Sequence, residues 1–438
     1  MSAPQLSPTR RRFVTGTLAA ATLGAPAVLR AQTPLARVVV VGGGFAGATC
    51  ARYLRLWEPR IEVTLVEPQA VYVACPLSNR VLGGTFDLHH LARDYGALQS
   101  DYGVRVLRAS ATAIDPSKRT VTAGGQSLPY DRLVLAPGIE FADERVPGLS
   151  AALDTGAVLH AWRGGARQIS QLRNRIADMK PGGVIALHIP KAPFRCPPGP
   201  YERVSLIAHY LASNNPKAKL RVFDSNPDIL AKRDLFMGLW KSRYPSIVEY
   251  VPNAELNAVT NAGRRLDLAV HGGADADVMN VIPPQRAPAL LRRAGLAAAS
   301  GWCPVDFRSY ESLLVPDVHV LGDAIASAPG LPKSGHMANQ GGKVCAAAII
   351  ALSRGQPVPA EPVIANTCYS FVSSTEAMHV AGVYRYDAAQ RTMVVVKGAG
   401  GLSKSASAVE AVHAFGWAFN ILHDTFGSKL TLQNATNV

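Results

Sequence analysis

The chain alternates between short apolar runs with the length of buried strands and longer stretches with the period of an amphipathic helix. The clearest run is Arg37–Val41, where four consecutive valines precede Gly42. A second apolar run ends at Glu67. Continuous apolar runs are typical of parallel strands, because helices cover both faces of such a sheet. The alternation predicts an α/β fold with two Rossmann-like three-layer domains and a small α+β C-terminal domain.

Glycines follow the first run in the order Gly42-x-Gly44-x-x-Gly47 and precede a helical stretch. In a dinucleotide-binding turn the first glycine makes the tight turn, the second lets the backbone approach a pyrophosphate, and the third allows close helix–strand packing. Glu67 then lies at the end of the second strand, where it accepts hydrogen bonds from an adenosine ribose. The alternative is a glycine turn without a ligand.

Two further strands favour a flavin over a nicotinamide. The run within 130–140 ends in Ala136-Pro137-Gly138, and the run within 315–326 ends in Gly322-Asp323. These segments resemble the second and third FAD motifs of the two-dinucleotide-domain flavoproteins. The resemblance implies that the aspartate binds the ribityl or pyrophosphate part of FAD.

The order of these motifs predicts a discontinuous FAD-binding domain, 35–150 and 275–355. The inserted segment, 151–274, shows a helix over Arg167–Met179, a strand over Val184–Ile189, a helix after Tyr201 and a strand over Leu220–Asp224. This is the pattern of a second Rossmann-like unit. Its first turn lies in a proline-filled stretch, 190–200, which has few backbone N–H groups for a pyrophosphate. We therefore expect no NAD(P)H site.

The pattern changes after residue 356. Polar and apolar residues alternate as in an antiparallel sheet, with a turn at 387–390, and a helical stretch follows. We expect residues 356–438 to form a C-terminal domain that covers the flavin or makes an interface.

Composition and charge narrow the class of protein. The chain is 48% hydrophobic and 17% charged, which is typical of a globular protein, and its net charge is +14. This charge is compatible with anionic partners, but basic residues do not interleave with aromatic ones as in RNA-binding sheets. We expect no binding of nucleic acid.

The first residues read as a targeting segment. Arg10-Arg11 precede a modestly apolar stretch, Phe13–Leu29, and residues 1–31 contain no acidic residue. This pattern predicts a twin-arginine signal peptide, with export of the folded protein to the periplasm. The alternatives are an amphipathic helix or a membrane anchor. The stretch is short and rich in Ala, Gly and Thr for a membrane span, so we expect no stable membrane insertion.

The six cysteines carry the remaining chemistry. None forms a C-x-x-C pair, so we expect no metal site, and no C-x-x-C-H motif is present to attach a c-type haem to this chain. In an oxidising compartment a cysteine is most often part of a structural disulfide, which is the alternative to every role below.

Four stretches make a more specific resemblance: 71–84, 193–203, 333–348 and 415–427. Together with the FAD motifs they are similar to the flavoprotein subunit of flavocytochrome c sulfide dehydrogenase. The resemblance implies that Cys75 holds FAD covalently and that Cys196 and Cys345 form a redox-active disulfide beside the flavin. Hydrosulfide would attack this disulfide, and electrons would pass to FAD and then to a cytochrome c partner. The residues expected to bind FAD are Gly42, Gly44, Phe45, Ala46, Gly47, Glu67, Cys75, Ala136, Pro137, Gly138, Gly322 and Asp323.

The residues themselves support the two sulfur roles. Prolines around Cys196 stiffen its loop, and Cys345 lies at the start of an apolar helical run, where a helix N-terminus lowers the pKa of a thiol. The residues do not settle which cysteine is attacked first. Glu202 is a candidate base, His336 a candidate for proton transfer and Trp417 a candidate contact of the flavin or a partner; a purely structural role is open for each.

Two other functions remain open. One is a sulfide:quinone oxidoreductase-like enzyme. The other is a non-catalytic FAD-binding subunit of a sulfur-oxidation complex. Fold alone does not separate these functions, because the same scaffold carries many activities.

Overall fold

A computed structural model describes residues 33–162 and 166–427. The predicted signal peptide, 1–31, lies outside the described residues. The described helices, in chain order, are α1 (Phe45–Trp57), α2 (Ser78–Leu82), α3 (Gly96–Ser100), α4 (Leu149–Asp154), α5 (Ala166–Ala177), α6 (Gly199–Asn214), α7 (Arg233–Arg243), α8 (Ala289–Arg293), α9 (Gly335–Ser353) and α10 (Ala408–Phe426).

The described strands, in chain order, are β1 (Ala36–Val41), β2 (Ile61–Val66), β3 (Tyr72–Val73), β4 (Ala92–Arg93), β5 (Arg105–Leu107), β6 (Ala111–Asp115), β7 (Thr120–Ala123), β8 (Gln126–Pro129), β9 (Arg132–Leu135), β10 (Glu140–Phe141), β11 (Val158–Leu159), β12 (Val184–Ile189), β13 (Lys219–Asp224), β14 (Val248–Val251), β15 (Leu256–Thr260), β16 (Arg265–Leu268), β17 (Gly272–Asp275), β18 (Val278–Val281), β19 (Gln285–Arg286), β20 (Val305–Asp306), β21 (Glu311–Ser312), β22 (Val318–Val320), β23 (Val363–Phe371), β24 (Ala377–Asp387), β25 (Thr392–Val395) and β26 (Gly401–Leu402).

The first sheet has the order β20-β21-β22-β9-β1-β2-β5. Strand β1 lies near its middle and pairs in parallel with β2 and β9. The valines of β1 are buried on both faces of the sheet, as the continuous apolar run predicts. The carboxyl ends of β1, β2, β9 and β22 therefore meet at one edge, which is where Rossmann-like sheets bind their ligands.

The second sheet is all parallel, with the order β11-β18-β12-β13-β14. Strand β12 occupies the predicted residues, Val184–Ile189. Strand β18, Val278–Val281, also belongs to this sheet, so the predicted boundary at residue 274 is too early. The chain first forms the antiparallel strands β15–β17 and only then adds its last strand to the second sheet.

The C-terminal unit is an antiparallel sheet, β23-β24-β25, with β26 paired to β24 and with α10 behind it. Helix α10 begins at the N-cap Ser407, whose hydroxyl accepts a hydrogen bond from the N–H of Glu410, and ends at Gly427 with φ of 72°. These are the usual start and stop signals of a helix. The fold class predicted from the sequence is confirmed.

The main hydrophobic core continues from the first sheet through the second sheet to the C-terminal unit. Along the described part of the chain, every helix is too short or too polar to cross a lipid bilayer.

Candidate active site

The turn between β1 and α1 leaves no room for a side chain at two of its glycines. Gly42 has φ of 100°, and a Cβ there would lie 2.3 Å from the carbonyl oxygen of Ala136. A Cβ on Gly47 would lie 1.9 Å from the carbonyl oxygen of Gly42. The bare backbone therefore packs closely in the turn that leads into α1. The N-terminus of this helix, which begins after Gly44, is the kind of position that binds a phosphate group.

The carboxylate of Glu67 lies over this turn. Its Oε2 accepts a hydrogen bond from the N–H of Gly43 (2.8 Å), and its Oε1 accepts one from the N–H of Gln69 (2.8 Å). The half-buried side chain is thus held at the edge of the sheet where the ribose of a dinucleotide lies in Rossmann-like domains. Its contact with an adenosine ribose stays a prediction.

The other predicted cofactor residues converge on the same edge. The N–H of Ala136 donates to the carbonyl oxygen of Val41 (2.8 Å), which places the Ala136-Pro137-Gly138 segment beside the glycine turn. Gly322 begins a short 3₁₀ turn, Gly322–Ala324, immediately after β22. Phe45 and Ala46 are buried in the first turn of α1.

Asp323 provides a test of whether the site fits a flavin. Its Oδ1 is buried and has no hydrogen-bond partner among the described residues. Burial raises the pKa of this carboxyl, while the charges of Arg195 and Lys333 act in the opposite direction. The adjacent cavity is lined by Tyr310, Lys333 and Met337, among others. An unsatisfied buried acceptor costs about 1–3 kcal/mol, and a ribityl hydroxyl would satisfy it, so the residues present fit FAD.

Two cations beside this site, the half-buried Arg195 and the buried Lys333, are not among the residues predicted from the sequence. The charges that act most strongly on Arg195 belong to Cys75, Asp323 and Tyr72, and one guanidinium nitrogen of Arg195 is buried without a partner among the described residues. Lys333 donates from Nζ to the carbonyl oxygen of Asp323 (3.0 Å), and burial lowers its pKa to about 8. In the sequence, Arg195 adjoins Cys196 and Lys333 begins the segment 333–348. These positions are the signals by which the two residues could have been predicted.

Cys75 lies just after β3 with an exposed thiol. Four residues on, the side-chain amide of Asn79 donates to the carbonyl oxygen of Gly199 (3.1 Å) and to Oε2 of Glu202 (2.9 Å). The segment that carries Cys75 is therefore tied to the helix that follows Cys196. An exposed thiol at the cofactor site is compatible with the predicted covalent bond to FAD.

The loop after β12 holds Cys196 against the first domain. Its N–H donates to the carbonyl oxygen of Lys333 (2.7 Å), directly before α9, and the preceding N–H, of Arg195, donates to Oε1 of Gln285 (3.0 Å). The thiol of Cys196 is half-buried. The proline-rich loop thus presents a sulfur at the predicted cofactor site.

The predicted pairing of Cys196 with Cys345 is wrong. Cys345 is fully buried in the middle of α9, where its thiol is hydrogen-bonded to Cys50 of α1. It lies eleven residues beyond the N-cap Ser334, which is about 16 Å along the helix axis. A disulfide needs Cα atoms within about 7 Å of each other, but the backbone of Cys196 is bonded at Lys333. Burial raises the pKa of Cys345, so the expected lowering at a helix N-terminus is wrong as well.

Cys368 of β23 takes the place predicted for Cys345. The side-chain amide of Asn366 donates to its Sγ (3.4 Å), and the same amide accepts a hydrogen bond from the hydroxyl of Ser334 (2.7 Å), the N-cap of α9. Burial raises the pKa of Cys196, and Cys368 is the neighbouring group that adds most to this rise. The structure therefore brings Cys196 and Cys368 together at the N-terminus of α9. No motif in the sequence marks Cys368. It lies on β23 of the C-terminal unit, and only the folded chain brings this strand to the loop of Cys196.

The remaining candidates hold this arrangement together. Both oxygens of Glu202 accept hydrogen bonds, one from the N–H of Phe371 on β23 (2.9 Å) and one from Asn79, so Glu202 joins α6 to the strand of Cys368. Burial raises its pKa. His336 accepts from the N–H of Thr367 (3.0 Å), and burial lowers its pKa to about 4, which leaves a neutral, structural imidazole.

Trp417 of α10 packs on this side of the site. Its ring lies 5.8 Å from that of His336 and 6.0 Å from that of Tyr369, centroid to centroid. Its indole nitrogen is buried without a partner among the described residues. The side chain is thus part of the packing around the site, and its contact with a flavin or a partner stays a prediction.

Comparison with known proteins identifies the family. Residues 36–176 match the pyridine nucleotide-disulphide oxidoreductases, residues 169–283 the central domain of the sulfide dehydrogenase (flavocytochrome c) flavoprotein chain, and residues 360–426 the flavin-binding domain of flavocytochrome c sulphide dehydrogenase. The sulfide dehydrogenase (flavocytochrome c) flavoprotein chain of Chlorobaculum thiosulfatiphilum is 64% identical over 45 residues, which are 94% of that sequence and 10% of this chain. The chain belongs to the flavocytochrome c sulfide dehydrogenase flavoprotein family. Members of this family are sulfide-oxidising flavoproteins, and the matched flavin-binding domain agrees with the fit of Asp323 to FAD.

Longer matches extend beyond this flavocytochrome c family. A mitochondrial sulfide:quinone oxidoreductase of Dictyostelium discoideum is 24% identical over 339 residues, 73% of this chain and 72% of that protein. The structure of the sulfide:quinone oxidoreductase from Aquifex aeolicus aligns with a TM-score of 0.69 at 18% identity, covering 89% of this chain and 91% of that one. A NAD-dependent persulfide reductase from A. fulgidus aligns with a TM-score of 0.62 at 19% identity, over 92% of this chain and 79% of that one. The two structures share the two-dinucleotide-domain fold.

Proposed function

We propose that the chain is the flavoprotein of an FAD-dependent sulfide dehydrogenase, with a redox disulfide formed by Cys196 and Cys368. The observation that carries the proposal is the meeting of these two half-buried cysteines at the N-terminus of α9, beside the residues that fit FAD. Family membership supports sulfide as the substrate. In this proposal Cys345 is a core residue and has no part in the reaction.

The cofactor would be held by the residues at the edge of the first sheet. The glycine turn and the N-terminus of α1 would bind the pyrophosphate, Glu67 the adenosine ribose, and Asp323 the ribityl chain. Cys75 would bond covalently to the flavin ring. Bound FAD supplies a two-electron acceptor that can pass its electrons on singly.

The sulfur step takes place between the two cysteines. Hydrosulfide attacks one sulfur of the disulfide, a new S–S bond forms, and the bond between Cys196 and Cys368 breaks. One cysteine becomes a persulfide, with the proton on its outer sulfur, and the other becomes a thiolate that holds the electron pair of the broken bond. The protein is basic and attracts the hydrosulfide anion, because its net charge is +14, or +10 without the four arginines of the proposed signal peptide.

The proposed electron acceptor is a c-type cytochrome, either a subunit or a soluble protein. The printed name of the Chlorobaculum relative supports it. The long match to the Dictyostelium protein favours a quinone as the second candidate. A non-catalytic role in a sulfur-oxidation complex is the third, and it predicts no reaction of the flavin with sulfide.

We also propose export by the twin-arginine route, so that the mature protein acts in the periplasm. The support is the sequence of residues 1–31 alone.

An anaerobic titration tests the function. Sulfide is added to the purified flavoprotein, the flavin absorbance is followed, and oxidised cytochrome c or a soluble quinone is added next. We expect bleaching by sulfide and reoxidation by cytochrome c. Unchanged absorbance would support the non-catalytic alternative, and reoxidation by the quinone alone would favour the second candidate.

Cysteine variants test the pair. Replacing Cys196 or Cys368 with serine should slow bleaching by at least about a thousandfold, because no disulfide can form. The matched control is Cys345→Ala, which should bleach at the wild-type rate. Loss of bleaching in a folded Cys345→Ala protein, with normal bleaching in Cys368→Ser, would refute the pairing.

A further inference from the structure

A buried lysine lies beside the proposed disulfide. Lys232, just before α7, is 4% exposed, and its Nζ reaches the C-terminal sheet. The ammonium donates to the carbonyl oxygen of Cys368 (2.8 Å), the hydroxyl of Ser370 (2.8 Å) and the carbonyl oxygen of Met378 (3.2 Å). All three of its protons are used, so the side chain is fixed in place by the strand that carries Cys368.

The carboxylates near this lysine are bonded to other groups. The ionisable groups that act on Lys232 are, in order of effect, Cys368, Glu202, Cys196 and Glu410. Glu410 is paired with His379 (2.7 Å), and both oxygens of Glu202 accept from amides. The charge of Lys232 is therefore balanced most directly by a thiolate on Cys368. Burial lowers the pKa of Lys232 to about 8, so the side chain is mostly protonated at neutral pH.

Burial raises the pKa of Cys368, but other groups around it besides Lys232 favour an anion there. The amide of Asn366 donates to its sulfur, and the hydroxyl of Ser334 lies beside it at the N-terminus of α9. Glu202 and Tyr384 are the other ionisable groups that face Cys368, and Tyr384 is neutral because burial raises its pKa.

Cys196 has less support for a negative charge. Three cations act on Cys196, and each interacts more strongly with another group. Arg195 interacts more strongly with Cys75, Asp323 and Tyr72. Arg203 interacts more strongly with Glu202, and Lys232 with Cys368. The carboxylate of Glu202 acts on Cys196 as well and opposes a second negative charge. The two sulfurs are therefore unequal as leaving groups, since the better leaving sulfur is the one whose thiolate is stabilised.

We infer that Lys232 makes Cys368 the leaving sulfur, so that hydrosulfide attacks Sγ of Cys196. The inference rests on the proposed function. The bond from the sulfide sulfur to Cys196 forms as the bond between Cys196 and Cys368 breaks. The persulfide, with its proton, is then on Cys196, and the electron pair stays on Cys368 as a thiolate beside Lys232. In this role Lys232 is an electrostatic positioning residue, because it acts through Cys368.

Alkylation of the reduced protein tests the unequal thiols without sulfide. The holoprotein is reduced with dithiothreitol, freed of reductant and treated with iodoacetamide between pH 6 and 9, and peptide mass spectrometry gives the rate at each cysteine. We expect Cys368 to react faster than Cys196 at neutral pH. Lys232→Met should slow Cys368 by about tenfold or more and Cys196 by less than about threefold, because the lost charge raises mainly the pKa of Cys368.

Two variants serve as controls. Lys232→Arg keeps the charge and should restore most of the rate at Cys368. Lys219→Met removes an exposed lysine of β13 and should change neither rate. Equal rates at the two cysteines of the wild type, or an unchanged rate at Cys368 in a folded Lys232→Met protein, would overturn the inference.

Persulfide trapping in the wild type needs no variant. Less than one equivalent of sulfide is added to the oxidised holoprotein, an alkylating agent stops the reaction, and peptides are analysed for the extra sulfur. We expect it on Cys196, and its presence on Cys368 would overturn the inference. If sulfide leaves the flavin oxidised and no persulfide forms, the proposed function is overturned as well. An unaltered alkylation rate at Cys368 in Lys232→Met overturns the inference alone.

Discussion

Cys196 has φ of 57°, the left-handed backbone conformation that residues with side chains seldom adopt. Such a residue costs about 1–3 kcal/mol, so surrounding contacts must hold it. Its N–H is bonded to the carbonyl oxygen of Lys333 (2.7 Å), and its own carbonyl oxygen accepts from the N–H of Gly199 (2.8 Å). Two hydrogen bonds of about 0.5–1.5 kcal/mol each offset this cost. The position of the sulfur is therefore fixed by backbone contacts, with the prolines adding stiffness.

At the scale of single residues, the testable prediction is the covalent bond between Cys75 and the flavin. If Cys75 bonds to the flavin, acid or heat denaturation should leave the yellow colour in the protein pellet. Cys75→Ala should release the flavin to the supernatant, because only the non-covalent contacts of the site remain. The absorbance of both fractions measures this, with Cys303→Ala as the control that keeps the colour in the pellet. Free flavin from the denatured wild type would contradict the covalent bond.

Helix α9 connects the active site to the core at the element scale. Its N-terminus, capped by Ser334, meets the two cysteines, and its middle packs closely on α1. The sequence places Cys345 at the start of a helical run, whereas α9 already begins at Gly335. Close packing explains this difference. Gly341 and Gly342 resemble a break, but a Cβ on Gly342 would lie 2.7 Å from the carbonyl oxygen of Ala46 on α1. Gly342 thus allows the close contact between α9 and α1, whereas Gly341 makes room for the ring of Tyr310.

The far end of α9 gives a pH-dependent prediction. The buried carboxylate of Glu58 accepts hydrogen bonds from Arg60 (2.9 Å) and from Arg354 at the end of α9 (2.6 Å), and these bonds lower its pKa from 4.5 to about 2. A lowered carboxyl pKa stabilises the fold above pH 4.5, and this stability is lost as the pH falls from 4.5 towards 2. We expect Glu58→Gln to lower the free energy of unfolding by about 1–2 kcal/mol at pH 7 and to weaken its decline in acid.

Urea unfolding at pH 7, 4.5 and 3 measures this effect. Glu62→Gln, which changes an exposed carboxylate of β2, is the matched control and should follow the wild type. An identical decline in the wild type and Glu58→Gln would show that the ion pairs at this helix end contribute nothing.

At the scale of the whole molecule, the features that depend on adjacent residues could be predicted from the sequence. The contacts between distant segments could not. The glycine turn, the FAD segments and β12 could be read from adjacent residues, because strand and turn preferences are local. The partner of Cys196 could not, since the contact depends on how β23 packs against the second domain and α9. The sequence did not predict that β18 belongs to the second sheet, for the same reason. Lys232 carries no signal in its own segment, because its partners lie on β23 and β24.

The second domain gives the prediction at this scale. Its parallel sheet is complete, but the loop after β12 is filled by prolines and by Cys196. We therefore expect NADH and NADPH to bleach the flavin at least about a hundredfold more slowly than sulfide does, because the loop offers few N–H groups to a pyrophosphate. Stopped-flow absorbance under anaerobic conditions measures both rates. Bleaching by either nucleotide at the sulfide rate would show that a nicotinamide site persists.

The location of Cys368 has a consequence for the biosynthesis of the protein. Its strand, β23, begins at residue 363. Between the loop of Cys196 and β23, the chain completes the second domain and returns to the first sheet. A polypeptide still attached to the ribosome and lacking β23 cannot close the sulfur pair. Oxidation of the proposed pair would thus report that the chain has been made and folded at least through β23.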